Sequence, residues 1–314
     1  MNQAKKIDCV VLGDVFFDIM IRQDPLKLSL IKGGTSYVPM KIEPGGIGNI
    51  AVGLKRLGGQ ATLIGKAGKD TFGFCYQDNL LSEGVNVKLI FDKFIPTGII
   101  TTFVAEDGER SFLVSRGAND FLSPEDVEKH KLCIQSAKCI LLTGYSLVTA
   151  LQESAIFKAV DIAKSFNVKI IFDIAAHNLV TEKRASFEKL VDSCDVLTLN
   201  YDEAKALTNQ ADLSSIAKTV CHRVPLVALR LGRAGCLMVT PQRTFKCAAN
   251  VVQCVDSTGA GDAFVSALIY GLSKKFSIEQ LAKLGNWYAS YCVKNLGSRS
   301  FPNRAEIVTF FSSL

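Results

Sequence analysis

Val255-Asp256-Ser257-Thr258-Gly259-Ala260-Gly261-Asp262-Ala263-Phe264 joins a turn of small residues to the opening of an apolar helix. A β-type run, Ala249 to Val255, leads into it. Gly259, Ala260 and Gly261 leave backbone N–H groups uncovered at the helix start. Such groups, together with the helix dipole, attract a polyanion such as a nucleotide phosphate. Asp262 then puts a carboxylate beside the anion site, where a second negative charge is costly without a task. Accepting a proton from a hydroxyl that attacks phosphorus is such a task. A tight strand–turn–helix with Asp262 as a first-turn dipole partner fits the same ten residues. The rest of the chain has to choose between the two.

Outward from this turn, apolar β-type runs alternate with helix-period segments. Strands are expected at Cys9–Leu12, Ala61–Gly65, Cys139–Thr143, Lys169–Asp173, Val196–Leu199, Leu226–Leu229 and Cys236–Val239. Several are almost wholly apolar, as strands buried on both faces should be. The pattern predicts an α/β fold, a doubly wound, mostly parallel sheet flanked by helices. Ser123-Pro124-Glu125-Asp126, Asp212, and Ser277 with Gln280 read as helix starts. Two regions, about 15–45 and 87–116, break the rhythm with the strand-like pieces Ser36–Ile42, Ile99–Val104 and Ser111–Val114. The turn Glu106-Asp107-Gly108-Glu109 predicts a hairpin between the last two. They are expected to form a small antiparallel β lid; an extension of the main sheet at its edge is the alternative. The whole of 1–314 is expected to be one domain.

Hydrophobic residues make up 48% of the 314 and charged residues 21%, ordinary for a soluble globular chain. No run approaches the roughly 18 apolar residues of a membrane span, and the N-terminus lacks a signal-like core, so a cytoplasmic location is expected. None of the ten cysteines forms a C-x-x-C pair, and most lie in apolar runs, which suits reduced, buried thiols. The three histidines have no metal-ligand spacing. The net charge of +6 is dispersed, without the basic stripe that nucleic acid would demand.

Asp-Ser-Thr-Gly-Ala-Gly-Asp closely resembles the C-terminal signature of the ribokinase-like (PfkB) carbohydrate and nucleoside kinases, and supporting segments run over nearly the whole chain. The resemblance implies that Asp262 is the catalytic base and that Gly259, Ala260 and Gly261 form an anion hole. Asn200-Tyr201-Asp202-Glu203 follows a strand end, the edge where such sheets bind ligands. It resembles the family's N-x-x-E motif, which implies that Glu203 holds Mg2+ through water and that Asn200 lies near the nucleotide. In Leu229-Arg230-Leu231-Gly232-Arg233-Ala234-Gly235, Gly232 and Gly235 permit close backbone approach and Arg230 is the favoured phosphate contact. An exposed hairpin is the alternative there.

On the acceptor side, Asp18 in Gly13-Asp14-Val15-Phe16-Phe17-Asp18 matches the family aspartate that binds substrate hydroxyls, with Asp14 as an additional acid. Pro44-Gly45-Gly46-Ile47-Gly48-Asn49 resembles the Gly-Gly signature, although two residues and not three separate Gly46 from Asn49. Arg116 is a further substrate-side candidate. Asn286 and the run Gly297-Ser298-Arg299-Ser300-Phe301-Pro302 resemble the adenine and monovalent-cation region, which implies oxygen ligands for K+ from Asp256, Thr258 and Ser300. The expected activity is therefore an ATP-dependent kinase acting on a hydroxyl of a small sugar or sugar derivative. A nucleoside kinase, with Phe16 and Phe17 stacking on a base, is the nearest alternative. A catalytically silent sugar-binding regulator is more remote. Neither nucleic acid nor membrane is an expected partner; a homodimer formed through the lid is.

Overall fold

The computed structural model describes residues 7–22, 38–105, 110–312 and 314. Its strands are β1 (Ile7–Leu12), β2 (Phe16–Ile21), β3 (Met40–Pro44), β4 (Ala61–Gly68), β5 (Asn86–Asp92), β6 (Gly98–Val104), β7 (Arg110–Ser115), β8 (Ala137–Thr143), β9 (Lys169–Asp173), β10 (Val196–Asn200), β11 (Leu226–Arg230), β12 (Cys236–Val239) and β13 (Thr244–Cys247). A nine-stranded sheet runs β13-β12-β11-β10-β9-β8-β1-β4-β5, and a four-stranded sheet runs β3-β2-β6-β7. From β11 to β5 every neighbouring pair of the large sheet is parallel, while β12 and β13 are antiparallel additions.

Alternation along β1 explains the layering. Cys9 and Val11 enter one core, with Leu63, Ala51, Phe264, Leu268 and Tyr288. Val10 and Leu12 enter the other, with Ile64, Leu142, Phe172 and Phe187. A strand with core on both faces has no polar side to show, hence the continuous apolar runs in the sequence. The helix starts follow the expected chemistry. Ser123 and Ser277 close capping boxes with Asp126 and Gln280, and Asp212 accepts from the Ser215 N–H.

The structure corrects two expectations. Residues 87–92, placed with the lid, instead belong to β5 at the edge of the large sheet, in register from Thr62↔Asn86 to Gly68↔Asp92. Val87, Leu89 and Phe91 alternate onto the main core, and that burial overrides the apparent break in the pattern. The small sheet is left with β2, β3, β6 and β7; its outer pairs are antiparallel and β2–β6 is parallel. The turn at 106–109 and residues 36–37 of the first lid piece lie outside the described residues. The second correction concerns Ala249–Val255, which is not a strand. The sheet ends at β13, so the run has neither a partner edge nor a core beneath it. Val251 and Val255 are exposed, and the N–H groups of Val255 and Asp256 both go to the Val293 carbonyl.

Candidate active site

From β1 the chain moves outward through β4 to β5, then returns to β8 on the other side of β1. The carboxyl ends of β1 and β8 thus flank a point where the strand order reverses, the usual place for a ligand in a doubly wound sheet. Two helices bring the key side chains there. Gly53 on helix Gly48–Arg56 lets helix Ala260–Ser273 approach closely, since a Cβ at Gly53 would sit 2.4 Å from the Ser266 hydroxyl oxygen. Ser266 also donates toward the carbonyls of Ile50 and Asp262. One helical turn earlier on each helix stand Asn49 and Asp262, residues four apart from the contact and on the same faces. Their side chains meet, the Asn49 amide nitrogen donating to Asp262 Oδ2 at 3.1 Å.

Gly259 caps the Ala260–Ser273 helix in the left-handed conformation (φ +78°), and a side chain there would strike the Ser298 carbonyl. Its glycine is therefore a requirement of the turn. The Ala260 N–H turns back to the Ser257 carbonyl at 3.3 Å, so Gly261 and its neighbours on the first turn present the anion-attracting edge. Burial pushes the Asp262 carboxyl up, opposed by the Asn49 hydrogen bond and by the positive charges of Arg230 and Arg299. A carboxylate whose proton affinity is raised by burial and tempered by its neighbours suits proton abstraction.

Arg230 comes from the end of β11. Its Nη2 donates to Asp173 Oδ1 at 2.9 Å and to Glu203 Oε2 at 3.3 Å. Nη1 lies 3.0 Å from where a Gly261 Cβ would be, which puts the guanidinium over the helix N-terminus. Arg233, by contrast, is exposed. Asn200 and Glu203 form a capping box on helix Tyr201–Thr208, with Glu203 accepting from the Asn200 N–H and amide at 2.7 Å each. The helix-start reading and the site reading hold together here, because Glu203 is only 3% exposed. Burial pushes Asp173 up to about 7, with Glu203 and Asp262 adding to the effect and Arg230 opposing it.

Across the cleft, Asp18 on β2 lies against the Gly45 backbone; a Cβ at Gly45 would be 2.0 Å from Asp18 Oδ2. Asp18 Oδ1 is buried without a partner. Burial, then Glu43 and Asp262, push its carboxyl up to about 7. Gly46 (φ +58°) turns the chain into the helix beneath.

The protein-family model for the pfkB family of carbohydrate kinases matches residues 6–305. The chain belongs to the pfkB family. Within it, a probable fructokinase-3 of Arabidopsis thaliana is 31% identical over 83% of this chain and 76% of its own. A 5-dehydro-2-deoxygluconokinase of Bacillus licheniformis is 27% identical over 98% and 96%. Among solved structures, adenosine kinase from Sinorhizobium meliloti superimposes with a TM-score of 0.87 at 27% identity, covering 98% of this chain and all of that one. This carbohydrate kinase thus has relatives named for a neutral sugar, a sugar acid and a nucleoside.

Other expected residues of the kinase are engaged with the protein itself. Arg116 makes a two-pronged bond to Asp14, at 3.0 and 3.2 Å, and also reaches Asp120 and Gln152. Asp14 and Arg116 so neutralise each other at the edge of the cleft. Asn286 spends its amide on the carbonyls of Cys247 and Ala248, bracing the end of β13. Gly235 (φ +93°) lies under the Cys247 carbonyl, whereas Gly232 (φ +56°) faces open space. Asp256 accepts from the Thr258 N–H and hydroxyl and from the Gly297 N–H, and Ser300 donates to the Leu296 carbonyl. Phe16 and Phe17 are core residues, Phe17 packing on Phe72 and Tyr76.

The strand-end position of Asp173, the last residue of β9, and of His177 just beyond it already marks them for this edge, although His177 is exposed. Sequence reasoning left out two residues of the site. Tyr145 follows β8 at the binding edge, a position that flags it. Gly144 packs under the Ile174 carbonyl and Ser146 against Gly13, so Tyr145 stands between the ends of β1 and β9. Glu203, Asp173, Asp262 and Asp14 all act on its phenol. The other, Arg299, carried no signal of its own.

Proposed function

We propose that the chain transfers the γ-phosphoryl group of ATP to a hydroxyl of a small, uncharged sugar or sugar derivative. The observation that carries this reading is Asp262 on the first turn of an anion-attracting helix, facing an acceptor cleft floored by Asp18. Asp18, with the Gly45–Gly46 backbone, binds the acceptor hydroxyls, a carboxylate being able to take two such bonds. Asp262 accepts the proton of the attacking hydroxyl. The amides of the first turn around Gly261 and the Arg230 guanidinium meet the charge on the phosphoryl oxygens. Glu203 and Asp173, whose oxygens already accept from Asn200 and Arg230, would hold a magnesium ion through its waters, as suits an ion that keeps most of them. When bound, that ion neutralises phosphate charge. A monovalent cation near Asp256, Thr258 and Ser300 belongs to the same reading. So does a homodimer, for which the exposed residues Met40, Ile42 and Leu113 supply apolar side chains on one face of the lid sheet.

Charge favours a neutral acceptor. Burial, then the negative charges of Glu43 and Asp262, raise the proton affinity of Asp18, and the same field opposes a carboxylated substrate. The core position of Phe16 and Phe17 removes the stack expected for a nucleobase. Acceptor-dependent ADP release across neutral sugars, sugar acids and nucleosides tests the reading. A neutral sugar should lead; no ADP release with any acceptor would end the kinase assignment, and a leading sugar acid or nucleoside would end the acceptor assignment.

A further inference from the structure

We infer that Arg299 is a positioning residue, which orients Asp262 by locking the side-chain amide of Asn49 between them. The inference rests on Asp262 being the base of the proposed transfer. Arg299 Nε donates to Asn49 Oδ1 at 2.7 Å, and the Asn49 amide nitrogen donates to Asp262 Oδ2 at 3.1 Å. Two further contacts hold Arg299 in place, one on its guanidinium and one on its backbone. Its Nη1 donates to Asn79 Oδ1 at 2.6 Å on helix Thr71–Ser82. Arg56 Nη1 reaches the Arg299 carbonyl at 3.4 Å. Gly48 leaves the room: a Cβ there would be 3.2 Å from Arg299 Nη2 and 2.3 Å from the Tyr76 hydroxyl oxygen.

The chemistry of the relay has one direction. A guanidinium has donors and no acceptor, so it can meet only the oxygen of the Asn49 amide. The nitrogen is thereby turned toward Asp262, where its N–H finds a satisfying partner in an ionised carboxylate oxygen. Asp262 Oδ2 is tied down and the other oxygen is left for the acceptor proton. Without Arg299 the amide is free to turn over and present its oxygen to Asp262, which then pairs well only as the protonated acid. Arg299 also acts on Asp262 directly through its charge. The other titratable groups that interact with Asp262 are Arg230, Asp173, Asp18, Tyr145, Tyr76 and Cys292. Of these, Tyr76 and Asp18 also feel the Arg299 charge directly, so Asn49→Ala, which leaves that charge in place, isolates the hydrogen-bond path.

The test follows the titration of Asp262 in the substrate-free protein by NMR of 13Cγ-labelled aspartate, with the resonance assigned by its loss in Asp262→Asn. Arg299→Met should raise the Asp262 midpoint by about one pH unit. Asn49→Ala, with Arg299 intact, should also raise it, and the double variant should shift it by clearly less than the sum of the two, since the hydrogen-bond path they share can be lost only once. In turnover, the acid limb of kcat should move up by the same amount, with the KM for ATP within about twofold of the parent. An unmoved midpoint in Arg299→Met, or fully additive shifts in the double variant, overturns the relay. If Arg299→Met fails to fold, Asn49→Ala decides: an unmoved midpoint there overturns it equally. Because the NMR titration needs no turnover, absence of kinase activity in the parent would fell the functional reading separately, leaving the relay to stand or fall on the midpoints.

Discussion

Replacing Asp18 by asparagine should make the protein more stable and at the same time nearly inactive. Asp18 is held at about 7 in the folded chain, against about 3.9 for an unperturbed aspartate. A shift of about three units, at about 1.36 kcal/mol per unit, bounds the cost of keeping it ionised at about 4 kcal/mol. The sign follows from proton counting. Between about pH 4 and 7 the native chain binds more protons at this site than the unfolded chain, so stability falls as pH rises. Below about pH 4 the cost is absent, and above 7 it is complete. Allowing for water that reaches the partly exposed carboxyl, about 2 kcal/mol is expected, or roughly 4 °C in Tm at pH 8.

Asparagine keeps the shape and removes the charge. Asp18→Asn should therefore melt roughly 4 °C above the parent at pH 8, with a gain less than half as large at pH 5. Two hydroxyl bonds to a charged group, at about 1.5–3 kcal/mol each, are lost, so kcat/KM for the acceptor should drop at least about 100-fold. Thermal unfolding at the two pH values and steady-state kinetics measure both effects. A Tm at pH 8 equal to or below the parent's, or a gain of the same size at pH 5, would refute the argument that this carboxylate is held ionised at a cost for binding.

Asp262→Asn should reduce transfer by about 10² to 10⁴ while ATP binding, read by calorimetry, largely survives; near-parental turnover would remove Asp262 from the mechanism. Glu203→Gln should raise the magnesium concentration needed for half-maximal activity with little change in Tm, because glutamine still serves at the third position of a capping box. An unaltered magnesium titration would leave Glu203 as a helix cap alone. Potassium should stimulate turnover over a bulky organic cation at matched ionic strength, and equal rates in the two salts would count against an ion near Asp256, Thr258 and Ser300.

Strands buried on both faces were legible because burial leaves a continuous apolar run, and Val10-Val11-Leu12 or Ile170-Ile171-Phe172 admit little else. The two misplacements have a common cause. Asn86–Asp92 and Ala249–Val255 both have β-forming composition, yet only the first finds an edge to pair with and a core to cover. Propensity is a statement about neighbours, and the neighbours lie far away in sequence. Site residues were legible by type where a turn or strand end carries them, as with Asp262, Asp18, Glu203 and Arg230. Their partners were not. Asp14 spends itself on Arg116, 102 positions away, and no local pattern anticipates that pairing.

Asn49 shows what such long-range pairing does to a motif. The interval from Gly46 to Asn49 is one residue shorter than the resembling signature, and the helix accordingly begins at Gly48, whose missing side chain makes space for Arg299 and Tyr76. A helix begun there puts Asn49 one turn ahead of the Gly53–Ser266 crossing, level with Asp262, and its amide bonds the carboxylate. The arginine that fixes that amide comes from 250 positions further along. The shortened interval, the glycine at 48 and the arginine at 299 therefore form one arrangement, in which a change at any one should disturb the protonation of Asp262.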